Sequence, residues 1–296
     1  MNRIRIGTLV SMNDPTAGIK QIETFIKYGF ESFTLTFWKT TGSVDLPTLS
    51  KKVRAMLDPL GIPVSAVSVF GNPLETEPED IESLRSWERL IDAAPLFGCD
   101  MVSGFTGRLR GKKLEESIPA FRKIFTPLAE RAGQKGVRIA FENCSMGGDW
   151  SSGDWNVAID PTAWKLLFDA VPSPNIGLEW EPCHQLVRLI DPLPQLREWV
   201  SRVFHVHGKD ATVDRSVLAK YGTGGSAEYA WHRTPGFGDT NWSDLITILM
   251  MGGYKGSIDI EGYHDPVFKG ELELTGQVTG MEYLKRCRGG SVLEVL

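Results

Sequence analysis

Short apolar runs alternate with longer amphipathic stretches along most of the chain. The runs have the length and residue types of β-strands, and the stretches between them have the period of α-helices. The predicted strands are residues 4–10, 32–37, 64–70, 100–105, 137–142, 176–181, 203–207 and 257–261. The predicted helices are residues 17–28, 47–59, 79–97, 114–134, 161–170, 192–201, 242–252 and 273–286. Strands that alternate with helices form parallel βαβ units, so the pattern predicts an α/β fold.

Helix-boundary residues support these elements. Prolines suit the first helical turn, aspartates suit the N-cap before it, and glycines suit the end of a helix before the next strand. The first-turn prolines are Pro47, Pro161 and Pro192, and the N-cap aspartates are Asp160 and Asp191. The helix-ending glycines are Gly61, Gly98 and Gly136. Eight βα units close most naturally into a (β/α)8 TIM barrel, a single domain of residues 1–296. An open doubly wound sheet normally has a glycine-rich turn after its first strand, whereas Gly7 stands alone.

Composition narrows the class of protein. Hydrophobic residues make up 42% and charged residues 23%, which is typical of a globular protein with ample core. The formal net charge of −5 gives no electrostatic footprint for nucleic acid or an anionic membrane. We see no apolar run near the ~18 residues of a spanning helix, and the start of the chain reads as a strand and not a secretion signal. The four cysteines form no CxxC pair, which favours a reducing cytoplasm.

Ionisable residues mark the carboxyl ends of the last four predicted strands: Glu142, Glu181, His207 and Glu261. In a barrel these ends lie side by side, where three carboxylates would repel one another. A divalent cation removes that conflict, so the pattern predicts one bound metal ion. Oxygen and imidazole ligands suit Mn²⁺ or Mg²⁺, with Co²⁺ plausible and Zn²⁺ possible.

Several nearby residues leave two interpretations open. Glu179 is a rival ligand, and His205 either supports the site or fills the barrel. Cys144 and Cys183 suit packed loop positions better than thiolate ligands. The long loops 143–160 and 208–241 follow late strands, and loops of this length often cover a substrate.

Four segments carry a family resemblance: FEN at 141–143, EWEPCH at 179–184, HVHGKD at 205–210 and IDIEGYHDP at 258–266. Together they resemble the sugar phosphate isomerase/epimerase group of xylose isomerase-like TIM barrels. The group includes ketose 3-epimerases, and catalytic subunits of C-glycoside deglycosidases are similar. The resemblance implies that Glu142, Glu181, His207 and Glu261 hold the metal and that His184 contacts substrate. The chain has Glu181 where the family motif usually has Asp, which lengthens that ligand by a methylene.

The resemblance also implies catalytic roles. Glu142 and Glu261 would exchange a proton beside a carbonyl, with His184 as a further catalytic and substrate-binding residue. Other candidates for substrate contact are Lys209, Arg233 and Trp38, with Asp210, Trp150, Trp155, His264 and Asp265 near them. Each has an ordinary structural alternative: Lys209 and Asp210 can pair with each other, the tryptophans can pack at the rim, and His264 and Asp265 can form an exposed loop pair.

Four functions remain open. The first is a metal-dependent isomerase or epimerase of a keto sugar. The second is a lyase or deglycosidase that enolises a 3-keto glycoside and expels its substituent. The third is an endonuclease IV-like phosphodiesterase, which needs more metal ions than five histidines suggest. The fourth is a sugar-binding barrel without catalysis.

Expected partners follow from the same reasoning. We expect a small-molecule carbohydrate substrate, no nucleic acid and no membrane. Related barrels are commonly homo-oligomers, and a small accessory subunit would accompany a deglycosidase. The apolar C-terminal segment 288–296 is expected to pack on its own barrel or on a neighbouring subunit.

Overall fold

The structure, a computed structural model, describes residues 4–289. In this range the strands are β1 Arg5–Ser11, β2 Phe33–Trp38, β3 Val64–Phe70, β4 Met101–Gly104, β5 Arg138–Glu142, β6 Ile176–Trp180, β7 Val203–Gly208, β8 Asp210–Val213, β9 Ala230–Arg233 and β10 Ser257–Ile260. A closed barrel forms in the order β1-β10-β7-β6-β5-β4-β3-β2. All eight predicted strands are therefore confirmed, with ends that differ by one residue at most sites.

Eight of the ten helices in the described range lie where the amphipathic stretches predict them, and the two short helices at 183–186 and 215–221 were not predicted. The helices are α1 Pro15–Ile26, α2 Leu46–Leu57, α3 Pro78–Ala93, α4 Ile118–Gln134, α5 Pro161–Ala170, α6 Cys183–Leu186, α7 Pro192–Trp199, α8 Arg215–Tyr221, α9 Trp242–Met251 and α10 Glu273–Cys287. The predicted N-caps are confirmed, because the side chain of Asp160 accepts from the Ala163 amide and that of Asp191 from the Leu193 amide. Gly61 and Gly98 have φ of +64° and +69°, the left-handed conformation that ends a helix.

The chain contacts divide into two compact units. Within the described range, one consists of residues 9–180 and 202–205, and the other of residues 4–8, 181–201 and 206–289. Residues of β1 and of β7 are assigned partly to one unit and partly to the other.

The core of the first unit lies between strands and the helices outside them. Trp87 of α3, Phe121 and Phe125 of α4, and Phe141 of β5 are fully buried. The Trp87 and Phe125 rings meet edge to face at 5.4 Å, and those of Phe125 and Phe141 at 4.9 Å. Such contacts add to the free energy gained by burying the rings.

The predicted loop 208–241 is not a plain loop. It contains β8 and β9, which pair antiparallel with Asp210 opposite Arg233 and Val213 opposite Ala230, and α8 lies between them. The prediction was wrong because two four-residue strands are too short to show a periodic pattern of apolar residues. These strands are defined by the hydrogen bonds between them, which the sequence pattern does not reveal.

Two further expectations concern membrane-spanning helices and the C-terminal segment. Among residues 4–289, no helix combines the length and the apolar character needed to cross a membrane. The predicted packing of segment 288–296 falls largely on residues 290–296, which lie outside the described range.

Candidate metal and substrate site

The four predicted ligands lie at the carboxyl ends of their strands. Glu142 is the last residue of β5, Glu181 follows β6, His207 lies near the end of β7, and Glu261 follows β10. Each offers a carboxylate oxygen or imidazole nitrogen, and these atoms all lie within 4.8 Å of one another. Glu181 and His207 are fully buried, and the Glu261 side chain is 12% exposed. The structure thus brings together the set that the strand ends predict.

A buried lysine supports one of these carboxylates. The Lys209 ammonium lies 2.8 Å from Oε1 of Glu261, and the Glu261 Oε2 lies 3.6 Å from Nδ1 of His207. Burial would raise the pKa of Glu261, but the charges of Lys209 and His207 outweigh it and hold that pKa well below its usual range. Glu261 is therefore an ionised carboxylate, the form that binds a cation or accepts a proton.

The end of β5 is held by a residue that the sequence alone did not single out. The Asn156 side-chain amide donates to the backbone carbonyls of Glu142 and Cys144, at 2.7 and 2.8 Å. Its oxygen accepts from the Thr106 hydroxyl at 2.7 Å and from the Thr106 amide at 3.1 Å. Because Asn156 is buried, these bonds fix the backbone that carries the Glu142 side chain. Only the asparagine's place inside the long loop 143–160 could have pointed to it.

His184 begins a row of three imidazoles. It lies in α6, where its Nε2 pairs with Oε1 of Glu181, and its ring meets the His232 ring at a centroid distance of 5.2 Å. His264 follows at 5.8 Å from His232. Burial, and then the charges of Lys209 and His184, lower the pKa of His232 to about 3, so His232 is neutral. His232 was missed in the sequence because β9 was not predicted.

Arg233 and the two aspartates near the site have structural partners. The Arg233 Nε lies 3.3 Å from Asp265, whose carboxylate also accepts from the Thr234 and Phe268 amides. Asp210 accepts from the Thr240 amide and the Trp242 indole, both at 3.0 Å. Lys209 contacts Glu261, and Asp210 anchors the chain before α9.

The tryptophans take rim positions. Trp38 is 48% exposed, and its ring stacks on Trp155 at 5.5 Å. The Trp150 indole donates to Asp160 at 2.7 Å. Trp38 keeps an exposed aromatic surface that a sugar could contact, whereas Trp150 braces the start of α5.

Glu179 and His205 pair with each other. The Glu179 Oε1 and His205 Nδ1 are 2.8 Å apart, and the Thr34 hydroxyl lies 3.3 Å from His205 Nε2. Glu179, His205 and His207 also offer atoms within 4.8 Å of one another, so they form a second possible ligand group. Cys144 packs against Phe70 and Phe105. Its thiol also lies within 4.8 Å of ligand atoms of Glu142 and His184, so the structure leaves both alternatives for this cysteine.

The donor set fits a hard or borderline divalent ion. Three carboxylates and one imidazole supply oxygen and nitrogen ligands, and burial makes their mutual repulsion costly without a cation. An imidazole that binds a metal is neutral, so with a bound ion the residues of the group carry two net negative charges (three carboxylates less the Lys209 ammonium), which matches the charge of one such ion.

Comparison with known proteins identifies the family. A family model described as xylose isomerase-like TIM barrel matches residues 22–287, and the chain belongs to that family. Its sequence is 30% identical over 155 residues to YfiH of Bacillus subtilis, covering 49% of this chain and 45% of that protein. It is 24% identical over 165 residues to the inosose dehydratase of Clostridium tetani, covering 54% and 51%. The chain therefore matches about half the length of these relatives.

A solved structure shows the same fold over nearly the whole chain. The 3-keto-D-glucoside 4-epimerase YcjR of E. coli superposes with a TM-score of 0.71 at 15% identity, covering 96% of this chain and all of that one. This likeness confirms the predicted barrel.

Proposed function

We propose that the protein is a divalent-metal-dependent enzyme that abstracts a proton beside the carbonyl of a keto sugar, as an isomerase or epimerase. One observation carries the proposal: Glu142, Glu181, His207 and Glu261 converge within 4.8 Å at the carboxyl ends of barrel strands. Sites of TIM-barrel enzymes lie at that end of the barrel. The solved structure of a 3-keto-D-glucoside 4-epimerase with the same fold supports a keto sugar as substrate.

The metal held by these four residues, Mn²⁺ in this proposal, would act as a Lewis acid that acidifies the C–H beside a sugar carbonyl. Glu142 and Glu261 would act as the general base and the general acid: one carboxylate accepts the proton from the sugar carbon, and the other returns a proton to it. Lys209 holds Glu261 at 2.8 Å, which orients that carboxylate. His184, which is buried beside Glu181, would bind a substrate hydroxyl in this proposal.

A second candidate is elimination from the same substrate class. The enolised sugar can expel a group from the neighbouring carbon instead of accepting a proton on the opposite face, which makes the enzyme a lyase or deglycosidase. The match to an inosose dehydratase favours this candidate, because a dehydratase removes water by elimination. Both reactions share the first proton transfer, so that step is the safer test.

The test is solvent proton exchange. The purified chain, stripped with a chelator and reloaded with Mn²⁺, is incubated in D₂O with free ketoses, sugar phosphates and 3-keto glycosides, and deuterium in the sugar is followed by NMR. We expect metal-dependent exchange of one C–H in at least one of these substrates. Deuterium at an inverted or shifted centre identifies an isomerase, and loss of the substituent identifies a lyase. Turnover without exchange and without a C–H isotope effect would overturn the proposal.

A further inference from the structure

A cavity opens beside the row of histidines. Its volume is about 780 Å³, and its walls come from the residue after α6, from segment 223–232 and from segment 264–269. Roughly 300–1,000 Å³ is the volume of sites that hold drug-sized ligands, well above what one sugar ring fills. The cavity is thus large enough for a second ring beyond the sugar.

The cavity adjoins the candidate site without overlapping the ligand residues. His232 and His264 line it, and His232 contacts His184, which pairs with Glu181. The described residues that line it include none of the four proposed ligands. A sugar bound at the ligands could therefore extend a substituent past the histidines into this space.

Part of the lining suits an aromatic group. Val187, Ala230, Trp231 and Pro266 supply apolar surface, beside polar lining residues that include Glu228 and Lys269. The Tyr229 hydroxyl donates to the Val187 carbonyl at 2.7 Å. Tyr229 therefore presents its aromatic ring to a ligand in the cavity. Aromatic rings pack favourably on such surfaces, edge to face or stacked, and the imidazoles of His232 and His264 add flat partners.

We propose that this cavity binds an aromatic substituent of the substrate, so that the enzyme acts on aryl-substituted sugars such as aryl glycosides. The inference rests on the proposed function, because it places the sugar ring at the four ligand residues. It goes beyond that function because it assigns the part of the substrate that lies outside the reacting ring.

Binding is tested first, without chemistry. The Mn²⁺-loaded protein is titrated by calorimetry with phenyl β-D-glucoside and with methyl β-D-glucoside. Burying a phenyl ring should make the phenyl glucoside bind about tenfold to a hundredfold more tightly. Trp231→Ala should bring this ratio close to one and leave the affinity for the methyl glucoside unchanged.

Two further variants guard the test. Val187→Phe narrows the cavity from a different element and should also reduce the ratio, which keeps the test decisive if Trp231→Ala folds poorly. Tyr28→Ala is the matched control, because Tyr28 is an exposed aromatic residue just after α1, outside the lining. Its ratio should equal that of the wild type.

A second measurement separates this inference from the proposed chemistry. Solvent exchange is followed with the phenyl and methyl 3-keto glucosides. The phenyl compound should show a lower KM by the same factor, with a similar kcat. Absence of exchange with both compounds would overturn the proposed function, even where the phenyl preference in binding is present. Equal binding of both glucosides, or a preference that survives both Trp231→Ala and Val187→Phe, would overturn the cavity assignment.

Discussion

Strands β6 and β7 place the same two residue types at successive levels of the barrel, with different results. At the deeper level Glu179 meets His205 at 2.8 Å, and Thr34 lies beside the imidazole. Two residues further along, Glu181 and His207 belong to a group with two more carboxylates. All four of these strand residues are almost fully buried, so exposure does not distinguish the two levels.

The difference lies in the balance of charge. A protonated His205 would balance the single charge of Glu179, so the deeper pair can be neutral without an ion. The three carboxylates at the upper level exceed the charge that Lys209 and even a protonated His207 can supply, and a buried excess of negative charge is costly unless a cation compensates it. A buried Glu–His pair is therefore a poor sign of a metal site, whereas an excess of carboxylates is a good one.

The largest expected effect comes from removing the upper histidine. His207→Ala should abolish tight binding of Mn²⁺, because it deletes the nitrogen ligand and leaves three carboxylates. Metal content after dialysis, measured by elemental analysis, checks this. His205→Ala is the matched control and should retain the metal. Undiminished metal in the His207 variant, or metal lost only from the His205 variant, would assign the ion to the deeper level.

The next effect is on proton transfer. Glu142→Gln and Glu261→Gln should each slow exchange of substrate C–H with D₂O by about 10²–10⁴-fold, since an amide cannot serve as a base. Both residues are also proposed ligands, so metal content is measured in each variant at saturating Mn²⁺. A variant that is fully loaded and still exchanges at the wild-type rate would remove that glutamate from the proton-transfer step.

A smaller effect is expected at the substrate histidine. His184→Ala should retain the metal and raise KM by roughly tenfold, the loss expected when one hydrogen bond of about 1.5 kcal/mol to the substrate is removed. Steady-state kinetics and elemental analysis on the same preparation check this. Loss of the metal with KM unchanged would instead make His184 a support for Glu181.

The smallest effect belongs to the deeper pair. His205→Ala leaves the buried Glu179 carboxylate without that imidazole, which should lower the free energy of unfolding by about 1–3 kcal/mol. Urea unfolding measures the change, and the rate of exchange with Mn²⁺ should stay within a few-fold of the wild type. An undiminished stability together with lost activity would show that this level takes part in chemistry.

The sequence predicted the regular part of the molecule well and the irregular part less well. Strands such as β5 and β6 combine apolar residues with a terminal glutamate, so one pattern locates both the element and its functional residue. Asn156 and His232 escaped prediction because their roles depend on partners distant in the chain, the Glu142 carbonyl and the His184 ring. For the same reason the sequence did not predict the partner of Arg233, because its contact with Asp265 depends on the tertiary structure.

The hairpin between Asp210 and Arg233 has a consequence for how such an enzyme can change. The two strands at its ends, β8 and β9, pair with each other directly after β7. The chain therefore enters and leaves the segment between them at the same place. We expect that residues 214–229 can be shortened, lengthened or exchanged while the strand that carries His207 keeps its register. Exchanging this segment between related barrels should therefore transfer the preference for the sugar's substituent. The proposed metal ligands should remain unchanged.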